Sequence, residues 1–313
     1  MTLFLLCVFA FKGLGNLNLR TSFASAKNVF LHVHSPRAHT EAPPFATDVH
    51  RETFCAQAAE LQLGTMKSLH KIRAVIHISR LAMRVHGDFV EAGVAEGGGS
   101  FCILSFLACV GALETRELHL FDTFEGIPAP VRAEDESFEP GRFHKSERAF
   151  WENAQRWKLY YENNITYQFS KHNFTESIMP WEQALQHMTV HRGLFAETMP
   201  NALQDRAVAA LFCDGDMYQS SLDCMVGASE SLVDRAMIYH DDYGTFYGNF
   251  RAVHDWKETN SDRGEIYLVP QDGPFAYYTL SSRCLGPADN SGRKQLACER
   301  HQIIEAAFWQ HWQ

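Results

Sequence analysis

Residues 87–100 read Gly87-Asp-Phe-Val-Glu-Ala-Gly-Val-Ala-Glu-Gly-Gly-Gly-Ser100. An apolar strand runs directly into glycines, and the glycines run into an apolar helical pattern over 100–113. Such a turn lets backbone approach a ligand closely, because glycine carries no Cβ. Glu91 lies inside the strand, where a carboxylate is costly without a partner. A polar ligand beyond the carboxyl end of a parallel sheet would supply one. The stretch therefore predicts a nucleotide-like ligand on an α/β sheet.

The same alternation continues outward from this unit. Residues 50–85 have helical periodicity, with Leu61, Leu63, Met66, Leu69, Ile72, Val75, Ile76, Ile78 and Leu81 as apolar positions. Strands are expected at 89–94, 117–123, 187–192, 207–213 and 236–240. Helices are expected at 218–232 and 248–256. Strands alternating with helices predict a doubly wound, mostly parallel sheet. Two closing strands, 265–269 and 276–280, are joined by a short Gly-Pro turn and should be antiparallel. Residues 129–176 are polar and aromatic without strand periodicity, the character of a lid inserted between strands.

Composition narrows the function. The 313 residues are 46% hydrophobic and 21% charged, which is ordinary globular material. A formal net charge of −9 argues against a nucleic-acid partner, which would call for a basic surface. The eight cysteines include no Cys-x-x-Cys pair, so a structural zinc site is not indicated. Cys284 and Cys298 flank a polar loop and could pair in an oxidising compartment, although free buried cysteine is equally ordinary.

Residues 1–45 read as a leader or a disordered segment. Residues 2–11 are almost wholly apolar, and Lys12, Arg20, Lys27 and Arg37 precede the first acidic residue, Glu41. That order resembles a targeting sequence, organellar or secretory. Without one, the chain would be a soluble cytoplasmic protein. The apolar run is too short to span a bilayer, and no other segment is apolar enough to do so. The expected organisation is then a helical cap at 46–86, a sheet-bearing domain at 87–283 with its lid at 129–176, and a helical tail at 284–313. A homo-oligomer is compatible with this organisation.

Several expected strands end in acids: Glu91 and Glu96 around the first, Asp122 at the second, Asp214 and Asp216 at the fourth, Asp241 and Asp242 at the fifth. In an open α/β sheet ligands sit beyond the carboxyl ends of the strands, so these acids should share one rim. Asp122 has the position from which an acid accepts hydrogen bonds from ribose hydroxyls; it could equally cap a turn. The glycine spacing departs from Gly-x-Gly-x-x-Gly and lacks a Gly-Lys-Ser/Thr, which disfavours nicotinamide cofactors and nucleotide hydrolysis. S-adenosylmethionine, with a ribose and no phosphate, suits the pattern. Carboxylates 214, 241 and 242 could hold Mg²⁺, a hard cation that prefers oxygen ligands and keeps open positions for a substrate hydroxyl. The plain alternative is that Asp214, Asp216 and Asp242 are helix N-caps.

Four motifs carry a family resemblance. Gly87-Asp-Phe-Val-Glu-Ala-Gly-Val-Ala-Glu-Gly-Gly98, Asp122-Thr-Phe-Glu-Gly-Ile-Pro128, Asp214-Gly-Asp-Met-Tyr-Gln-Ser-Ser221 and Asp241-Asp-Tyr243 resemble, in order and approximate spacing, those of the macrocin O-methyltransferase (TylF/MycF-type) family. Gly193-x-Phe-x-x-Thr-x-Pro200 is a shorter fifth match. The resemblance implies a Rossmann-like class I methyltransferase with a seven-stranded sheet and an antiparallel last strand. It implies S-adenosylmethionine and Mg²⁺ as cofactors and a small-molecule hydroxyl, sugar or polyol-like, as acceptor.

Residue roles follow one position at a time. Glu91, Gly93, Gly97, Gly98, Gly99 and Ser100 would shape the cofactor pocket. Asp122 and Thr123 would hold the ribose, and Thr65 and Met66 would lie over the cofactor. Asp214, Asp241 and Asp242 would hold Mg²⁺. The lid departs from the family pattern, so the macrolide-sugar substrate does not carry over. Related catechol-type enzymes place a lysine base where this chain has Met217; Asp216 or His240 could accept the proton instead, or the metal could acidify the hydroxyl enough for water to take it. Two other readings stay open: a metal-dependent glycosyltransferase using Asp214-Gly-Asp216 as an Asp-x-Asp motif, and a non-catalytic protein that retains the cofactor fold.

Overall fold

A computed structural model describes residues 49–172, 174, 177–260 and 266, together with the backbone of 267–268 and 276–279. The expected leader, the helical tail and the Cys284–Cys298 pair lie outside the described residues.

Five parallel strands form the centre: β1 (Asp88–Ala92), β2 (Leu118–Asp122), β3 (Met188–Arg192), β4 (Val208–Cys213) and β5 (Leu232–His240). Their spatial order is β3-β2-β1-β4-β5. Beyond β5 two short segments, β6 (Tyr267–Leu268) and β7 (Ala276–Thr279), continue the sheet, with β7 antiparallel to both β5 and β6. The direction of winding reverses between β1 and β4, and a crevice opens at such a reversal.

Seven helices of eight or more residues flank the sheet among the described residues. They are α1 (Val49–Ala59), α2 (Leu69–Ala82), α3 (Gly98–Val110), α4 (Glu147–Tyr160), α5 (Phe195–Ala202), α6 (Tyr218–Ala228) and α7 (Tyr247–Thr259). The first four pack on one face, around Ile72, Phe89, Phe101, Phe106, Leu120 and Trp157. The last three pack on the other, around Val90, Phe121, Leu211, Met225, Ile238 and Trp256. β1 and β4 are buried on both faces, which is why β4 reads as a continuous apolar run and the buried Glu91 in β1 stands out. Every residue of α3 is buried, between the sheet and α1, α2 and α4.

The single helical stretch expected over 50–85 is two helices. The chain turns at Gly64, and Ser68 starts α2 afresh by accepting the Lys71 N–H on its Oγ. The break sends Thr65, Met66 and Lys67 toward the crevice. Buried Arg116 fixes the entry to β1 by donating to the carbonyls of Met83, Val85 and Gly87. The expected lid divides in two. Residues 129–145 border the crevice, whereas α4 drives Phe150 and Trp157 into the core. Asn153 and Trp157 tie α4 to the carbonyls of Leu63 and Glu96.

Two disulfides occur where the sequence spacing suggested none. Cys55–Cys109 joins α1 to α3, and Cys213–Cys224 joins the end of β4 to α6. Cys102 is a buried free thiol. The partners of the first pair are 54 residues apart and meet only through helix packing.

Candidate active site

The strand ends are in register, and that register builds the site. Ala92 pairs with Cys213, and Cys213 pairs with His240. The ladder continues one step further. Gly93 N–H donates to Phe121 O at 2.9 Å, Asp214 N–H to Ala92 O at 2.8 Å, and Asp241 N–H to Cys213 O at 3.0 Å. Gly93, Asp214 and Asp241 therefore stand side by side where the sheet stops. A cleft of about 630 Å³ opens there, a size that suits a small molecule or cofactor.

One side of the cleft is the glycine loop. Gly93, Gly98 and Gly99 line it, with Thr65, Met66, Asp122 and Thr123. Gly93 has φ of +93°, and a Cβ there would overlap the carbonyl oxygen of Asp214. Asp122 organises this loop. Its Oδ2 accepts the N–H of Val94 at 2.7 Å and of Ala95 at 2.9 Å, and its Oδ1 accepts Phe124 N–H at 2.7 Å. A carboxylate offers about four acceptor positions, so these three bonds leave one on Oδ1. Thr123 closes the adjoining turn through Glu125 N–H and Gly126 O.

Glu91, Gly97, Ser100 and His240 do not line the cleft. Gly97 precedes the first turn of α3. Glu91 lies beneath Gly99, accepts the Ser100 hydroxyl, and is pushed up to about 7 by burial against the opposing pull of Lys67. His240 is fully buried within β5, and burial lowers it to about 3. It cannot reach a substrate in the cleft and is not a candidate base.

The other side is acidic. Asp214, Asp216, Asp241 and Asp242 all line the cleft. None of their side chains caps a helix. The N-cap residues of α6 and α7 are Met217 and Phe246, without side-chain caps. The start of α6 is capped instead by Asp135, fully buried, which accepts Tyr218 N–H at 2.7 Å and Gln219 N–H at 3.2 Å. The capping alternative therefore fails for the strand-end acids.

Oxygens of Asp214, Asp216 and Asp242 converge within 4.8 Å of one another. This differs from the expected metal set of Asp214, Asp241 and Asp242. Asp241 is engaged elsewhere: its Oδ1 accepts the Tyr239 hydroxyl at 2.8 Å, and its Oδ2 lies 2.6 Å from Lys71 Nζ. Lys67 Nζ pairs with Asp214 and stands 3.3 Å from Asp241 Oδ1. Burial acts to raise Asp241, yet the two lysines hold it below its usual value. Burial and then Asp214 push Asp216 up to about 7; burial and the three neighbouring carboxylates push Asp242 up to about 9.

These residues fit a divalent cation. Asp242 Oδ2 is buried and has no hydrogen-bond partner among the described residues. Fully ionised, the four carboxylates facing two ammonium groups would leave two formal negative charges, the complement of one hard dication whose binding would displace the protons that burial favours on Asp216 and Asp242. The sequence motifs do not single out Lys67, Lys71 or Asp135. For the lysines a signal existed: two cations four residues apart, just after the Thr65-Met66 match and at the start of α2. Asp135 had none, because its partners are more than 80 residues away.

Residues 18–276 match the family described as Macrocin-O-methyltransferase (TylF). The chain is 27% identical over 219 residues to an 8-demethyl-8-(2,3-dimethoxy-alpha-L-rhamnosyl)-tetracenomycin-C 4'-O-methyltransferase of Streptomyces olivaceus, covering 66% of this chain and 72% of that one. It is 23% identical over 226 residues to the mycinamicin III 3''-O-methyltransferase of Micromonospora griseorubida, covering 67% and 77%. Among solved structures, the O-methyltransferase NovP superposes with a TM-score of 0.55 at 19% identity, over 74% of this chain and 88% of that one. A calicheamicin methyltransferase superposes at 0.52 and 16% identity, over 69% and 80%. These likenesses extend the Rossmann-like fold to known O-methyltransferases. With the family match spanning most of its length, the chain belongs to the macrocin-O-methyltransferase family.

Proposed function

We propose that this chain is an S-adenosylmethionine- and Mg²⁺-dependent O-methyltransferase acting on a small-molecule hydroxyl, a sugar or polyol-like group. One observation carries the reading: a single cleft has the glycine loop on one side and the uncapped, converging Asp214, Asp216 and Asp242 on the other. Two relatives whose names specify methylation at numbered sugar-type positions support the choice of acceptor.

When bound, S-adenosylmethionine would supply the methyl group, and Mg²⁺, held at the acid cluster by Asp214 and Asp242, would lower the pKa of the accepting hydroxyl. The chain's residues do the rest. The loop fixed by Asp122 sets the position of the donor pocket. Asp216 accepts the hydroxyl proton from within the acid cluster, in the role a neighbouring carboxylate fills in general base catalysis. Alignment of donor and acceptor over a short distance is the main source of rate. Met66, Val131 and Phe143 stay exposed at the cleft and offer apolar surface to the remainder of the acceptor.

The test is methyl transfer from labelled S-adenosylmethionine to a panel of glycosides. EDTA should abolish turnover and Mg²⁺ restore it. Turnover that persists through chelation refutes the metal. Failure of S-adenosylhomocysteine to bind in calorimetry refutes the donor.

A further inference from the structure

The opposite end of the sheet carries a second group of side chains, with no part in the cleft. Asp88 opens β1, Glu117 immediately precedes β2, and His119 is the second residue of β2. Val90 pairs with His119; Asp88 lies two residues before the one and Glu117 two before the other, so Asp88, Glu117 and His119 share one face of the sheet. Asp88 Oδ1 accepts the Glu117 N–H at 2.9 Å and ties the two strand starts together. Gly93 stands five residues further along the chain, about 16 Å away at the usual strand rise, so this cluster is separate from the acids of the cleft.

His119 is only 1% exposed, and its Nε2 is buried without a hydrogen-bond partner among the described residues. That atom lies between two carboxylates, 3.6 Å from Asp88 Oδ2 and 3.5 Å from Glu117 Oε2. These are the separations of neighbouring ligands on a tetrahedral ion: ligands about 2.1 Å from Zn²⁺ stand about 3.4 Å from each other. Across the ring, His119 Nδ1 is 3.4 Å from His191 Nε2. An ion on Nε2 would leave the proton on Nδ1, aimed at His191 as acceptor, and metal-bound histidines almost always have such a second partner.

Arg206, in the turn between α5 and β4, bridges the carboxylates. Its Nη1 lies 2.7 Å from Glu117 Oε2 and 3.2 Å from Asp88 Oδ2. It leaves His119 Nε2 unanswered, and a buried polar atom without a partner calls for an explanation such as an ion. The Arg206 side chain is 37% exposed and has solvent to turn into; Glu117, 45% exposed, gives an ion a way in.

We propose that Asp88, Glu117 and His119 form a second metal site, for a dication of the Zn²⁺ class, which displaces the Arg206 guanidinium and clips β1 to β2. One imidazole and two carboxylates suit Zn²⁺, whereas Mg²⁺ prefers oxygen throughout. Two carboxylates neutralise one dication, and water takes the fourth position. The site stands independently of the cofactors proposed for the cleft.

Zn²⁺ is titrated by calorimetry into the full chain after chelator treatment and dialysis, with excess Mg²⁺ present to occupy the oxygen ligands of the cleft. Co²⁺ repeats the titration in visible absorption, where a tetrahedral ion absorbs far more strongly than an octahedral one. Wild type should bind one Zn²⁺ at this site, and Co²⁺ should show the tetrahedral band. Glu117→Gln, at the surface, should weaken binding by about a hundredfold or more, and His191→Phe, which removes only the second partner, by about tenfold. Arg206→Met should tighten binding, because it removes the competing cation. His119→Gln should abolish it; should that variant fail to fold, Glu117→Gln still decides the matter. Asp214→Asn should leave the event unchanged. A wild type without this event, or one whose affinity Glu117→Gln leaves intact, overturns the inference and makes the cluster a salt-bridge network only. Binding that disappears in a folded Asp214→Asn puts the ion in the cleft and overturns it equally.

Discussion

Gly93→Ala should cost far more than another glycine replacement at a similar backbone angle, Gly111→Ala. Gly93 has φ of +93° and Gly111 has φ of +80°. An alanine at either site carries backbone strain of about 1–2 kcal/mol. At Gly111 that is nearly the whole cost, because an added Cβ would find only Arg51 Nη2, at 3.5 Å. At Gly93 the Cβ would overlap the Asp214 carbonyl oxygen and sit 2.7 Å from its carbonyl carbon. The ends of β1 and β4 must then part. Two ladder bonds are at risk, Asp214 N–H to Ala92 O and Gly93 N–H to Phe121 O, each worth about 1 kcal/mol. Gly93→Ala should therefore lose about 3–4 kcal/mol, roughly 2 more than Gly111→Ala. That gap corresponds to a melting difference of about 4–8 °C. The same movement displaces Asp214 from the cleft, so binding of S-adenosylhomocysteine and Mn²⁺ should weaken in Gly93→Ala alone. Thermal melts and calorimetry on both variants measure the two effects. If Gly93→Ala matches Gly111→Ala in stability and binds both ligands as wild type does, the proposed junction between glycine loop and acid cluster is wrong.

Burial lowers His77 to about 3, against about 6.5 in an unfolded chain. A depressed histidine contributes stability that is present above about 6.5 and lost as the pH falls toward 3. Between pH 7.5 and 5.5, wild type should lose about 1 kcal/mol more stability than His77→Leu in urea unfolding; equal losses would refute it. Peptide mapping without reductant should recover Cys55–Cys109 and Cys213–Cys224 as linked pairs. Cys102, buried and with its thiol pushed up to about 12 by burial, should resist alkylation until the protein unfolds. Reducing the first pair, which closes 54 residues, should cost about 3–4 kcal/mol, and full alkylation in denaturant without reductant would contradict the pairing.

The parallel core was legible because it obeys local rules. β4 is apolar throughout, β1 is interrupted only by Asp88 and Glu91, and the glycine turn announces itself in one short stretch. The rim of acids was legible for the same reason, since parallel strands end together. What escaped depends on contacts between distant segments. Lys67 and Lys71 reach the acids across 147 and 170 residues of chain. Asp135 caps α6 from a loop with no periodicity. The ribose role expected of Asp122 did not reveal that three backbone amides already claim its carboxylate. Oxygens of Asp214, Asp216 and Asp242 converge where Asp214, Asp241 and Asp242 were expected, because a sequence shows which acids gather and not how their side chains turn at the strand ends. His240 looked available at a strand end, but its strand neighbours bury it completely.

The helix that follows the glycine loop has no outward face at all: Gly98 through Val110 are covered, α1 and α2 form much of the cover, and a disulfide fastens α1 to its far end. The opening helices are thus inherited with the sheet as one piece. Anyone trimming the chain to begin at the first strand would strip an oily rod bare, and the shortened product should clump rather than catalyse. For the same reason gene fusion can graft new parts ahead of α1 but not between it and the strands.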